Sequence, residues 1–285
     1  MEVSQADHVL FMFDNAVPRG TISASSEASA DLAASNMLSP IRSEIWRSDS
    51  NNVQYIDCVL AANEPVGIVA LVDINVTNAG TIRVQSWSDG IDGNQPGEDV
   101  TVSAWSALQG YGAGFLGYDG YGGLPTVKTL NLVRPVALVG LEQWHENERY
   151  WRITLDDPNV SYKQCSLPYI GPYFQPSSNI SWQSEKALEY RTNTRESRGG
   201  QRYGNTKRPR MILTGDLSDI PEAEADYLWL RHLELSDSLP FIVSLRPDGK
   251  FGQMFTTIYG TFGGTRFRDE YLNHQSTVLR IEESL

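Results

Sequence analysis

The side chains able to do chemistry are few and scattered. The four histidines, His8, His145, His232 and His274, include no pair at HxH or HxxxH spacing. A metal centre needs two or three convergent ligands, so all four read as surface or core residues. Cys58 and Cys165 lie too far apart in sequence for a metal quartet or a disulfide framework, and are expected to be half-buried free thiols in a protein made in a reducing cytoplasm. There is no G-x-S-x-G elbow, no P-loop, and no G-x-G-x-x-G opening a helix after a strand. The glycines of 110–123 lack the Lys-Ser/Thr that would follow a phosphate loop. Carboxylates are abundant and a glycosidase needs only two, about 5–10 Å apart, but an acidic chain supplies such pairs by chance. The expectation is a protein that is not an enzyme and needs no cofactor. Asp89, Asp92 and Asn94 are the candidate calcium ligands, oxygens on a glycine turn with Glu98 and Asp99 behind them. They miss the D-x-[DN]-x-[DN]-G register, so a solvated β-turn and no metal is expected.

Binding features are easier to find. Between Glu185 and Arg210 stand eight bases and three acids, a local +5 in a chain of net charge −12. This basic hairpin, 185–210, is either a solvated loop or an arm that docks on an acidic neighbour. Arg191, Arg195, Arg198 and Arg202 are its expected interface residues. Tyr111, Tyr118 and Tyr121 interleave with glycines and are expected at the same kind of interface. Trp87, Trp105 and Tyr111 could instead form a glycan site, since lectin sites present aromatics beside polar groups.

The elements that must position these residues are mostly strands. Tyr55–Leu60 and Thr81–Trp87 alternate with period two, and Val66–Ile74 is a continuous β-branched run. Asn131–Leu141 and Tyr150–Leu155 read as further strands of an antiparallel sandwich. Ser88–Pro125 reads as one long connection, an insertion in that sandwich, to be ordered by a partner. Leu167–Ser178 is punctuated by proline and glycine and reads as a connector. Beyond it, Ile180–Tyr190, Arg210–Thr214, Leu239–Leu245, Thr256–Gly260 and Thr277–Glu283 read as strands. Pro221–Leu235 reads as one helix with Ala225, Leu228, Trp229 and His232 on its buried face. The expected architecture is mainly β. An N-terminal arm (1–19) precedes a sandwich (20–165, insertion 88–125), a connector (166–179) and a C-terminal α+β domain (180–285) with one helix on a small sheet.

Composition excludes several classes. Apolar residues at 40% are enough for a core, which argues against wholesale disorder. No run reaches the roughly 18 apolar residues of a membrane span, so no membrane insertion is expected, and residues 1–7 do not read as a Sec signal. Residues 1–160 hold 20 acids and 8 bases, whereas 161–285 hold 15 of each. Such an acidic chain repels phosphate at long range, so nucleic acid is not an expected partner.

Two resemblances add to this. Ile22-Ser23-Ala24-Ser25-Ser26-Glu27, Ala33–Met37, Ile45-Trp46-Arg47-Ser48, Tyr55-Ile56-Asp57, Gly67–Asn75, Ala79–Val84 and the closing Arg149-Tyr150-Trp151-Arg152-Ile153 occur in this order. Together they resemble the discoidin-like, or galactose-binding-like, β-sandwich. The whole chain resembles minor tail proteins of long-tailed bacteriophages, through Gly199-Gly200-Gln201-Arg202-Tyr203, Leu239–Pro247, Tyr259-Gly260 and Ile281-Glu282-Glu283. That resemblance implies a structural component of the virion tail tip or baseplate, made in the host cytoplasm. It implies a homo-oligomer, a hexameric ring contacting tube, hub and tape-measure proteins. The alternative is a carbohydrate-binding module that recognises a host surface glycan.

Overall fold

The computed structural model describes residues 8–106, 124–181, 184–191, 194–204, 207–247, 253–271 and 274–285. In chain order the strands are β1 Leu10–Met12, β2 Thr21–Ala24, β3 Trp46–Arg47, β4 Gln54–Val59, β5 Val66–Val72, β6 Thr81–Trp87 and β7 Pro96–Ser103. Helix α1 Val127–Val133 precedes β8 Val136–His145, β9 Tyr150–Asp156, β10 Gln164–Cys165 and β11 Leu167–Gly171. Then follow β12 Glu185–Glu189, β13 Thr194–Glu196, β14 Arg202–Gly204, β15 Arg210–Pro221, helix α2 Glu222–Leu235, β16 Phe241–Ser244, β17 Thr257–Phe262, β18 Arg266–Tyr271 and β19 His274–Glu283. No helix among the described residues is long and apolar enough to cross a membrane. The chain divides into two compact units: 1–175 with 241–259, and 176–240 with 260–285.

The first unit is an antiparallel sandwich of a five-stranded sheet, β2-β4-β9-β6-β7, and a three-stranded sheet, β11-β5-β8. Period-two alternation sends Ile56, Cys58, Ile82, Val84, Trp151, Ile153 and Leu155 inward against Val69, Leu71, Val139 and Leu141. All seven residues of β5 are buried because its sheet is covered on both faces. On the outer face Ile68, Ala70 and Val72 pack with Leu10, Met12, Ile242 and Tyr259. Each such aliphatic side chain contributes about 1.5–3 kcal/mol when withdrawn from water.

This packing revises several expectations. Within the segment expected as an N-terminal arm, β1 is buried and pairs with β16, Met12 opposite Ile242. Segment 241–259 therefore belongs with the sandwich, where Tyr259 Oη also donates to the Pro40 carbonyl at 2.8 Å. The connector contains β11, whose Pro168 is tolerated because β11 is an edge strand of its sheet. The 88–125 connection contains β7, paired with β6 from Thr81↔Ser103 to Trp87↔Pro96. Asn131–Leu141 is not one strand. Thr126 caps α1 by accepting the Thr129 N–H, Arg134 turns left-handed at φ 48°, and β8 starts after Pro135. Both cysteines are fully buried rather than half-buried, and burial raises both thiol pKa values far above the ordinary range.

The second unit centres on β15 and β19, antiparallel neighbours with Gly215 opposite Leu279. β12 adds to β15, while β18 and the end of β17 pair with β19. Ile180 contributes only an isolated bridge to Leu217, so the strand expected over 180–190 is confined to Glu185–Glu189. Helix α2 carries Glu222 and Glu224 in its first turn, as the helix dipole favours, and buries Ala225 and Leu228. Trp229 is 47% exposed, contrary to expectation. The contact face follows the 225–228–232 line, and position 229 lies one step off it.

Candidate functional site

The expected site residues have different fates. The Asp89 carboxylate accepts the Asn94 and Gln95 N–H groups at 3.0 and 3.2 Å, and Asp92, at φ 58°, pairs with Arg152 at 2.8 Å. These groups close the β6–β7 turn. Among the described residues no three His, Cys, Asp or Glu side chains gather to hold a metal. Trp87 and Trp105 are each 5% exposed, and Trp105 Nε1 donates to the Val76 carbonyl at 2.7 Å. Neither is an exposed sugar platform: both are buried in the sandwich, and Trp105 lines the cavity beside β8. Tyr111, Tyr118 and Tyr121 lie outside the described residues. Arg191, Arg195 and Arg198 are exposed, and Arg202 lies on β14 with its side chain outside the description. Arg208 and Arg210 pair with Glu283 and Glu282 at 2.7 and 2.5 Å, which neutralises part of the basic run.

The outer face of the five-stranded sheet is polar and internally satisfied. Register aligns Ser23, Asp57, Arg152, Gln85 and Asp99 across five strands. Arg152 forks onto Asp57 at 2.7 and 3.0 Å and lies over the Tyr55 ring, and Arg83 forks onto Asp99 at 2.7 and 2.6 Å. The Arg83 hydrogen bond holds the Asp99 carboxyl below its usual pKa. Little donor capacity is left there for a ligand.

A different feature presents itself at the β5–β8 edge. Val66 faces His145 and Ile68 faces Gly140, so residues 141–144 of β8 bulge opposite the single residue Gly67. Bulges of this kind re-aim side chains. Here Glu142, Gln143 and Trp144 become exposed. Trp144, 46% exposed, packs on Tyr173 with centroids 4.8 Å apart and planes at 32°. Gly67 makes room for both rings: a Cβ there would lie 2.8 Å from Tyr173 Cε1 and 3.0 Å from the indole.

The bulge is pinned from beneath. Buried Glu98 accepts the Glu142 N–H at 2.9 Å, and His145 Nε2 lies 3.0 Å from the same carboxylate oxygen. The His145 ring also meets Trp151 edge-on at 5.7 Å. Beside the bulge a cavity of about 330 Å³ is lined by Val100, Trp105, Leu138 and Glu142, with Ser103 and Gln253. Glu142 thus belongs to both cavity and bulge. The site combines an exposed tryptophan backed by a half-buried tyrosine, a carboxylate, an amide and a partly apolar cleft. Sequence reading missed Trp144, Tyr173, Gly67 and Glu142. The available signal was a tryptophan set among Glu142, Gln143 and Glu146, where a core residue would have apolar company.

No family model matches the chain, and no curated protein matches it in sequence. Solved structures do. Chitosan-binding module 1 of a chitosanase/glucanase from Paenibacillus sp. IK-5 is 16% identical, with 56% of this chain covering 99% of that one at a TM-score of 0.37. The family 32 carbohydrate-binding module of C. perfringens NanJ, solved with galactose, is 13% identical, with 56% and 98% covered at a TM-score of 0.38. Chitosan-binding module 2 of the Paenibacillus enzyme, solved with chitotriose, is 12% identical, with 55% and 100% covered at a TM-score of 0.37.

Proposed function

We propose that this chain is a non-catalytic binding protein that recognises carbohydrate at the β8 bulge. The observation that carries this reading is the exposed Trp144 ring packed on half-buried Tyr173, held over Gly67 beside the Glu142 carboxylate and the adjoining cavity. A sugar ring offers an apolar C–H face and a rim of hydroxyls. The first suits an aromatic face, and the second suits Glu142, Ser103 and Gln253 as hydrogen-bonding partners. The cavity volume falls at the small end of ligand clefts, enough for one sugar residue with the next on the platform. The rings are already in contact and the bulge already anchored by Glu98, so binding loses little conformational freedom. Nothing in this mechanism calls for a cofactor.

A glycan array followed by calorimetric titration tests it, with galactose and chitotriose as first probes. Trp144→Ala is expected to weaken binding about tenfold or more, equivalent to about 1.4 kcal/mol. A silent array, or a variant that binds like the parent, would sink the reading.

A second reading, a structural role in a bacteriophage tail tip or baseplate, is favoured by the segment Gly199–Tyr203. It spans the end of the turn and the start of β14 in the β13–β14 hairpin, with Gly200 at φ 79°. A virion component could also carry the glycan site, so the two readings are compatible. Location of this chain in an electron micrograph of a complete particle tests the second one.

A further inference from the structure

We infer that His145 and Glu98 are positioning residues that make the β8 bulge, and with it sugar recognition, respond to pH. The inference rests on the carbohydrate reading for its ligand and on the geometry beneath the bulge for the rest. His145 is buried, yet both of its ring nitrogens face carboxylates. Nε2 lies 3.0 Å from Glu98 on β7, and Nδ1 lies 3.4 Å from Glu148 in the turn between β8 and β9. The backbone provides for this pairing. Gly97 leaves space for Glu148, since a Cβ there would lie 2.7 Å from Glu148 Cγ, and the Glu98 N–H donates to Ser86 Oγ at 2.8 Å. The other elements around the ring face it with apolar groups: β5 places Val66 opposite, and β9 sets Trp151 against it edge-on. The bases close in sequence are engaged elsewhere, Arg149 by the Leu60 carbonyl at 3.1 Å and Arg152 by the Asp57 carboxylate at 2.7 Å.

A neutral imidazole has one N–H, so it serves one of these carboxylates and turns a lone pair toward the other. The imidazolium donates to both and sets a positive charge between two negative ones. In a buried network an unpaired polar group is costly, so loss of the proton must be felt at Glu98 or Glu148. Glu98 passes the effect on, because the carboxylate oxygen that meets His145 also accepts the Glu142 N–H at 2.9 Å. Glu142 stands two residues before Trp144 within the bulge. The doubly protonated ring thus holds the bulge as described, with Trp144 against Tyr173. The neutral ring loosens Glu98 and lets the Trp144 ring leave that position, so sugar binding is strongest on the acid side.

The test uses the full chain carrying fluorotryptophan, with the Trp144 fluorine resonance assigned by its loss in Trp144→Phe. An ordinary imidazole changes charge between about pH 5 and 8, so spectra are taken across that range. The Trp144 resonance is expected to follow a single-proton curve in the parent and to stay still in His145→Gln, whose amide still donates toward Glu98 without titrating. Glu148→Gln, at a half-buried position, removes one of the two carboxylates and should displace the curve to lower pH; it serves where His145→Gln fails to fold. A Trp144 resonance that ignores pH overturns the proposal. So does an equal movement in His145→Gln, or a curve that Glu148→Gln leaves in place. Galactose affinity, measured by calorimetry at both ends of the range, should be about fivefold or more weaker on the alkaline side in the parent, the low end of coupling between linked sites, and equal in His145→Gln. Equal affinity at both ends in the parent overturns the coupling to the sugar. No galactose binding at either end counts against the carbohydrate reading alone, because the fluorine shift is read without ligand.

Discussion

At the scale of single residues, the site depends on one missing Cβ. Gly67 sits in a strand where nothing requires a special backbone conformation; its side chain is excluded by space alone. Gly67→Ala would bring a methyl group to 2.8 Å from Tyr173 and 3.0 Å from Trp144, so the rings must move apart. Glycan affinity is expected to fall nearly as far as in Trp144→Ala, about tenfold, while the sandwich stays folded. Titration measures the loss, and near-ultraviolet circular dichroism should report the changed indole environment. An unaltered spectrum with parental affinity would show that the rings yield without consequence.

Among the elements, α2 gives a pH-dependent prediction. His232, in the last turn, meets Phe262 edge-on at 4.7 Å. Burial lowers its pKa below the ordinary 6.5, with Asp237 acting in the opposite direction. The unfolded chain therefore takes up this proton first, and folded-state stability falls as pH drops below about 6.5 toward the folded value. His232→Gln removes that contribution. Urea unfolding at pH 7.5 and 5.5 should show a smaller acid-side loss in the variant than in the parent. Equal losses would mean that His232 is not the group responsible. The elements also differ in how openly the sequence announces them. β6 is plain because Ile82, Val84 and Ser86 face inward in strict alternation. β7 is obscured by Pro96, Gly97 and two acids, because an exposed edge strand needs few apolar residues.

For the whole molecule, the Arg42–Asp73 pair ties together segments far apart in sequence. Arg42 forks onto Asp73 at 2.6 and 2.7 Å and also donates to the Arg134 carbonyl at 2.8 Å, linking the loop before β3, the end of β5 and the end of α1. Asp73→Asn keeps a residue that tolerates φ 55° but removes the buried carboxylate onto which the guanidinium forks. Removing one partner of a buried pair costs about 3–5 kcal/mol, so denaturant midpoints should fall well below the parent's. A loss under about 1 kcal/mol would show that water reaches the guanidinium and takes the carboxylate's place.

The sequence by itself determined the mainly β class, the inward residues of β4, β6 and β9, the helix at α2 and the concentration of negative charge before residue 160. Each of these is a local pattern, a periodicity or a count, and needs no partner element to be read. Only tertiary structure decided that 241–259 joins the sandwich, that Pro168 lies in an edge strand, and that Trp87 and Trp105 are interior while Trp144 is exposed. A tryptophan's exposure depends on which strands cover it and on where a bulge reverses the alternation. At Trp144 that reversal is made by Glu98 and Gly67, 46 and 77 residues away in sequence, whose contacts no local pattern encodes.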